Sequence, residues 1–548
     1  MNHSKLRGVL LAAAALLGST AGGYQQVLDG EDPVLKITAG TNWVLDKTGT
    51  FQGNYRFSSV AGTGSSVATW TLDALPPGTY TVEFYVDNGN YAQVVPYAIE
   101  HDGGLTTVTA SQNFVGAGWK PLGNFNFTHA GRITQTDAWS GAGAMAIADA
   151  LRLTLQGSPI VPTLNVVAPE ITLVVDDLGF LNPASSSTYT YQLYDAVPGA
   201  TYAVLPSLTY STQCLQVAAT KGIETLLHQP LQYIGQPNSN PSDPTRVYIS
   251  MTDAQIVSTV QNNLTPMLPY IVGVNNHQGS RFSQYRHGMD VLVGELKTQG
   301  FFYFDSRTIT DSNGYDAAKA AGMLTGERDL FIDGLTVQDT KNRILSVAER
   351  AKYSPNYSYT MIGHQRDQTV PGILQVQSDL QTMGVGLRRL SRTMSMIVET
   401  DSQPPGCTVT YSGAWSTTST DMISQELVNG DARVLLGVAA GTATFRPNLP
   451  KPGMFRVFVA FAAGANNSTA ARISVAANDG VHVSSLNQSV DGGRWHYIGA
   501  YPFAAGTAGS VQLDNSLAPS ATRPLRADAV KFVYDGAVPS TVDRWEDY

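Results

Sequence analysis

Six short runs between residues 171 and 364, rich in β-branched, aromatic and aliphatic side chains, each stop on Asp, Asn or His. Run 171–175 stops on Asp176-Asp177, 224–227 on His228, 270–274 on Asn275-Asn276-His277, and 301–304 on Asp305. The last two, 330–332 and 359–363, stop on Asp333 and His364. Helix-spaced stretches lie between them, including 253–264, preceded by Thr252 with Gln255 in capping-box spacing, and 340–351. Alternating strands and helices predict a parallel sheet in which all strand C-termini open on one face. The six polar ends should therefore converge.

The flanks follow another period. Apolar and polar residues alternate in runs such as 79–85 and 455–461, bounded by Gly, Asn and Asp, as in half-buried antiparallel strands. The two flanks also answer each other. Pro77-Gly78-Thr79-Tyr80 matches Pro452-Gly453-Met454-Phe455, and Trp119 through Gly123 matches Trp495 through Gly499. Ala148-Asp149-Ala150-Leu151 matches Ala527-Asp528-Ala529-Val530. The spacing of these landmarks is nearly constant, so one module occurs twice and each copy is expected to be a β-sandwich. Pro159, Pro162 and Pro169 in one connector, and Pro404-Pro405 in the other, read as stiff and extended. The resulting partition is a sandwich at 24–156, a linker at 157–169, a central α/β domain at 170–396, a linker at 397–406 and a second sandwich at 407–538.

Composition narrows the function classes. The chain has 548 residues, 14% of them charged, with 52 Gly and 28 Pro, which suits loop-rich exported modules. A net charge of −9 and no basic cluster argue against a nucleic-acid partner. Residues 1–21 read as a secretory signal peptide: Lys5 and Arg7 precede an apolar core at 9–17, and Ser19-Thr20-Ala21 supplies small residues for cleavage. No run is long and apolar enough to span a bilayer, so the expectation is a secreted or periplasmic protein. Cys214 and Cys407 fall in different domains and are expected as buried free thiols, with a bridge as the alternative.

The flanks resemble golvesin C-terminal-like modules, also called xanthan-lyase carbohydrate-binding-like domains, on the Pro-Gly-x-aromatic turn, the Trp-x-x-(Leu/Ile)-Gly step and the Ala-Asp-Ala strand. The resemblance implies glycan binding. Trp119 and Trp495 could stack on a sugar, but beside an apolar strand they fit core packing better. The centre resembles the divergent polysaccharide deacetylases, in family order, on Val174-Val175-Asp176-Asp177-Leu178-Gly179, His228-Gln229-Pro230, Gly273 through Arg281, Asp305-Ser306-Arg307-Thr308, Arg328 through Asp333, and Ile362-Gly363-His364. Gln229, Gln278, Gln232-Tyr233 and Gln365 depart from the family's usual residues, which bears on substrate fit while leaving the ligand types intact. The implied fold is an incomplete (β/α) barrel between two sandwiches. The implied activity is metal-dependent deacetylation of an acetylated polysaccharide or peptidoglycan-type glycan.

Amide hydrolysis needs an activated water, a stabilised oxyanion and a protonated leaving amine, and one divalent metal can supply the first two. A carboxylate with two imidazoles suits zinc or a similar ion, and Asp177, His228 and His277 end three strands as such a triad. The resemblance makes Asp176 the general base and Asp177 the ligand; the residues alone do not order them. Neighbouring strand side chains face opposite ways, so both serve one site only where the strand is ending. His364 is the candidate general acid, with Asp305 and Arg307 to orient it or to bind developing charge, and Asn276 and Ser280 are candidate substrate contacts.

Structural roles stand beside each of these. Asp176-Asp177 could cap a helix, His228 and His277 could be buried structural histidines, and Asn275 and Asn276 could fix loops. Asp333 reads as structural, and Asp305 with Arg307 as an ion pair. His287 and His496 lie outside the pattern and receive no role. The competing functions are a degenerate glycan-binding protein and a surface or matrix structural protein.

Overall fold

The computed structural model describes residues 24–538, apart from 29–34, 38–41, 47–54, 73–74, 129, 164, 239–242, 419–425, 428–430, 437–439, 463 and 518–522. The signal-peptide segment 1–21 lies outside the described residues. By contacts the chain divides into two compact units, the first built on residues up to Pro162 together with Lys341–Ser354, which is most of the last α-helix but one of the chain, and the second on nearly all the rest.

The first unit holds the N-terminal module. Its sheets have four, five and three strands, all antiparallel, and Trp70, Tyr80, Val82, Tyr97, Ile99 and Ile133 fill the core at 0–1% exposure. The strand Gly131–Thr136 buries every second residue, as the sequence alternation requires.

The second unit is organised by one large sheet. Its main path of parallel strands is β1 (Glu170–Leu178), β2 (Thr201–Val204), β3 (Glu224–Leu231), β4 (Ile271–Gln278), β5 (Phe302–Asp305), β6 (Thr325–Glu327), β7 (Leu330–Phe331) and β8 (Tyr359–His364), with the two-residue strand Gly386–Leu387 also parallel beside β1. Their order is β7-β8-β1-β2-β3-β4-β5-β6. Helices α1 (Tyr189–Ala196), α2 (Ser211–Thr220), α3 (Asp253–Leu264), α4 (Arg286–Thr298), α5 (Gly314–Ala320), α6 (Val337–Tyr353) and α7 (Thr369–Met383) lie between them in sequence. The capping box of α3 forms: Gln255 N donates to Thr252 Oγ1, and Thr252 N donates to Gln255 Oε1 at 2.8 Å. Every residue of β3 is buried, as expected for a parallel strand covered on both faces.

Two strands lacked a signal in the sequence: β2 runs into Leu205 with no polar terminus, and β6 has three residues. No ladder joins β6 to β7 among the described residues, although only Arg328 and Asp329 separate them. The parallel run is thus an open path and not a ladder-closed barrel.

At the far edge of β6, Thr325 pairs with Ser395 of a ninth strand, β9 (Ser395–Glu399). β9 continues antiparallel onto Ala529–Gly536 of the C-terminal module, so residues 397–399, read from sequence as connector, are sheet. The module completes itself with a five-stranded and a three-stranded sheet that repeat the N-terminal topology. One hydrophobic cluster runs through both parts, with Val174, Leu226 and Phe304 from the parallel strands and Val457, Val530 and Phe532 from the module. Both cysteines are buried free thiols. Among the described residues no helix is long and apolar enough to cross a membrane.

Candidate active site

The two adjacent aspartates reach one site through a break in backbone geometry. The pairing of β1 with β2 shifts register between Val175 and Leu178, and Asp177 takes a left-handed φ of 66°. That turn undoes strict alternation, and Asp176 and Asp177 both face His228 Nε2, at 3.5 and 3.3 Å. Gln278 and Arg307, at or just past the ends of β4 and β5, also have positive φ. Left-handed backbone at non-glycine residues costs of order 1–3 kcal/mol each and concentrates at functional sites.

Asp177, His228 and His277 offer one ligand atom each, all within 4.8 Å of one another. Asp177 Oδ1 stands 2.9 Å from His277 Nδ1 and 3.3 Å from His228 Nε2, and the two imidazole nitrogens are 3.3 Å apart. Yet Asp177 Oδ1 is buried without a hydrogen bond of proper geometry. Asn275 explains what the trio lacks. Its Nδ2 donates to Asp176 Oδ1 at 2.9 Å, which turns its Oδ1 to His228 Nδ1, also at 2.9 Å. The His228 proton therefore sits on Nδ1, and the bare Nε2 points at Asp177 and His277. A carboxylate oxygen and a bare imidazole nitrogen face each other, with a second imidazole beside them. Such a donor set fits a divalent cation.

The electrostatics agree. Burial pushes the Asp176 carboxyl above its ordinary range, against the pull of His228 and His364. Burial also opposes charge on Asp177, but the neighbouring His228 and His277 imidazoles outweigh it and hold the carboxyl far below the usual range. For His228, burial is outweighed by Asp176 and Asp177, and its pKa rises; for His277 burial prevails and the pKa falls. The site attracts positive charge.

His364 ends β8 directly beside Asp176 of β1 in the parallel register. Its Nδ1 is 2.6 Å from Asp333 Oδ2, and its backbone N–H donates to Asp333 Oδ1 at 3.0 Å. Thr369 Oγ1 fixes the same carboxylate at 2.7 Å, and Phe331 stacks against the ring at 5.9 Å. Burial works against a charged imidazole, yet the Asp333 hydrogen bond and charge, with Asp176 and Asp177 behind them, raise its pKa. Asp333, read as structural from sequence, is the carboxylate that orients His364.

Residues 173–394 match the family described as divergent polysaccharide deacetylase, and 26–155 and 397–534 match the Golvesin C-terminal domain. This chain is a divergent polysaccharide deacetylase domain flanked by two Golvesin C-terminal domains. Over 220 residues it is 26% identical to an uncharacterized protein of Escherichia coli strain K12, YibQ, which covers 39% of this chain and 64% of that one. It is 36% identical over 130 residues to xanthan lyase of Bacillus sp. strain GL1, covering 23% of this chain and 14% of the lyase. Among solved structures, the uncharacterized protein ATU2773 of Agrobacterium tumefaciens C58 aligns over 42% of this chain and 90% of its own, at 19% identity and a TM-score of 0.37.

Other expected site residues of the deacetylase domain are engaged in contacts within the protein. Asp305 accepts from Arg307 N, Ser312 Oγ and Tyr315 N, at 2.8, 2.6 and 3.0 Å, and so organises the loop into α5. The Arg307 guanidinium pairs with Glu327 and donates to Thr310 O. Its carboxylate partner is thus Glu327, while the carboxylate on His364 is Asp333. Asn276 spends its amide on Tyr303, Ser306 N and Gln278 O, and Ser280 Oγ accepts from Ile234 N at 3.1 Å. Both side chains are buried and spent on the protein itself. His287 pairs with Asp253 on the surface, and His496 is held to Asp491 O.

Proposed function

We propose that this chain is an exported, metal-dependent carbohydrate deacetylase acting on an acetylated polysaccharide or cell-envelope glycan, with its two flanking modules holding it near the polymer. The supporting observation is the convergence of Asp177 Oδ1, His228 Nε2 and His277 Nδ1, with Asp176 and His364 beside them. The eight parallel strands of the main path are read as an incomplete barrel, supported by the two-residue link from β6 to β7. Asp177, His228 and His277 would hold the ion. When bound, a divalent ion such as zinc supplies polarisation of an acyl carbonyl and activation of water.

The remaining steps belong to the side chains. Asp176 is the base: its Oδ1 is held by Asn275 and its Oδ2 remains toward the site. Water adds its oxygen to the acetyl carbon and gives its proton to Asp176. His364, protonated against Asp333, then donates a proton to the departing amine or hydroxyl as the bond to carbon breaks, leaving acetate and a free amine or alcohol. Acetate release from acetylated glycans, with and without a chelator, tests the reading. Release that stops on chelation and returns with metal is the expected result. Tight glycan binding by a protein that releases no acetate would favour a degenerate, binding-only domain.

A further inference from the structure

The loop that follows β3 presents two adjacent apolar side chains to solvent, Tyr233 at 40% and Ile234 at 48% exposure. A lone exposed apolar residue means little. This pair differs because the backbone beneath it is locked. Gln232 is fully buried, and both its main chain and its side chain are engaged. Its N–H donates to Val247 O at 3.0 Å, and its carbonyl accepts from Arg281 N and Phe282 N at 3.1 and 3.0 Å. Its amide donates to Gln236 O and Pro237 O, at 3.1 and 3.0 Å, and accepts from Ile249 N at 3.0 Å. Ile234 N is held in turn by Ser280 Oγ. The loop after β3 is thereby fastened to the loop after β4.

The platform is tied to the metal-binding trio through Arg246. The guanidinium lies 5.8 Å from the Tyr233 ring centroid, and its Nη1 donates to Gln278 Oε1 at 2.8 Å, one residue beyond His277. Leu231 O, at 2.7 Å, and Asp243 Oδ2, at 2.8 Å, keep that arginine in place. An aromatic ring, half exposed on a locked backbone and backed by the buried Arg246 guanidinium, suits the apolar C–H face of a pyranose.

We propose that Tyr233, held by the Gln232 hub and backed by Arg246, is the sugar-stacking, specificity-determining residue of the acetylated glycan site. The proposal rests on the deacetylase reading above, and its test separates the two. Binding of N-acetylchitohexaose and of acetylated xylohexaose is measured by calorimetry on Asp176→Asn, alone and combined with Tyr233→Ala or Tyr233→Phe, beside acetate release by the chain with and without Tyr233→Ala. The expected result is roughly tenfold weaker binding for Tyr233→Ala, recovery with Tyr233→Phe, and a loss in kcat/KM that lies chiefly in KM. Equal affinity with and without Tyr233, or binding of neither oligosaccharide, overturns the platform. Binding that depends on Tyr233 in a chain that releases no acetate keeps the platform and sinks the catalytic reading.

Discussion

If the proposed reaction holds, replacing Asn275 separates holding a metal from activating water. The residue is fully buried, and its amide touches Asp176 Oδ1, His228 Nδ1 and Ser306 Oγ at 2.9, 2.9 and 3.1 Å. Asn275→Ala strands an imidazole N–H and a carboxylate oxygen where water has little access. Hydrogen bonds to charged groups are worth about 1.5–3 kcal/mol each, and removing the partner of a ligating histidine lowers metal affinity about 10–100-fold. Asn275→Asp does something else. It still accepts from His228, but it places a second carboxylate about 3 Å from Asp176, where like charges at an effective dielectric of 20 repel by up to about 6 kcal/mol. One proton must then be shared by the two acids, and the base stays protonated to higher pH. Zinc titration of apo-protein against a competing chelator should show weakened binding for Asn275→Ala and near-native binding for Asn275→Asp. Acetate release by Asn275→Asp should have its acid limb moved to higher pH. Native metal affinity in Asn275→Ala, or an unmoved acid limb in Asn275→Asp, refutes the argument.

Asp176→Asn should retain metal and lower acetate release by roughly 10²–10⁴-fold, and loss of metal instead would exchange the roles of Asp176 and Asp177. Because Asp333 raises the His364 pKa, the protonated acid persists above the ordinary histidine range; Asp333→Asn should move the alkaline limb of the rate profile to lower pH, and a fixed limb would free His364 of this role. Alanine at His228 or at His277 should each strip most of the metal, as read by elemental analysis of folded protein, and full retention by both would remove the site. Cutting the chain after residue 394 should give an insoluble or dye-binding product, since it exposes the cluster containing Phe304 and Phe532 and leaves Lys319 without Glu399; a monomer that melts cooperatively at the parent temperature would contradict this.

The strand-end pattern made most of the site legible, because in a parallel sheet the position of a polar residue at a strand terminus fixes the face it reaches. His228, His277 and His364 sit where that rule puts them, whereas Asp176 and Asp177 join the same site only because the left-handed turn at Asp177 breaks the strand's alternation. The same rule held a further signal: Asn275 and His277 sit two apart on β4 and share a face, whereas Asn276 turns to Tyr303 on the other. Asp333 escaped because its role depends on which strand lies beside β8, and β7 is two residues long. Sequence proximity pairs Arg307 with Asp305, whereas its guanidinium partner, Glu327, closes a three-residue strand that leaves no periodic trace. Short elements carry contacts without carrying pattern.

The two Golvesin C-terminal domains show how a repeated sequence acquires two structural roles. In the first, the strand Gln25–Leu28 pairs with Leu151–Leu155; in the second, β9 takes that place against Ala529–Gly536 and also meets β6 of the deacetylase sheet. The cation in the Ala-Asp-Ala strand follows the same divergence. Arg152 lies 4.6 Å over Trp119 and forks onto Glu83 at 2.6 and 2.8 Å, partly in solvent. Its counterpart Lys531 is wholly buried, 4.5 Å over Trp495, with Nζ reaching Asn356 O at 3.4 Å. Nearby, Glu170 and Arg388 from the deacetylase side interlock with Arg456 and Asp535 from the module. A partly buried ion cluster stabilises little by itself, but breaking one member leaves its partners uncompensated, so the cluster fixes how the sheet continues more than it strengthens it. The second module is therefore a structural continuation of the deacetylase sheet, and its substitution by another binding module would have to reproduce β9, Lys531 and the Arg456–Asp535 pair.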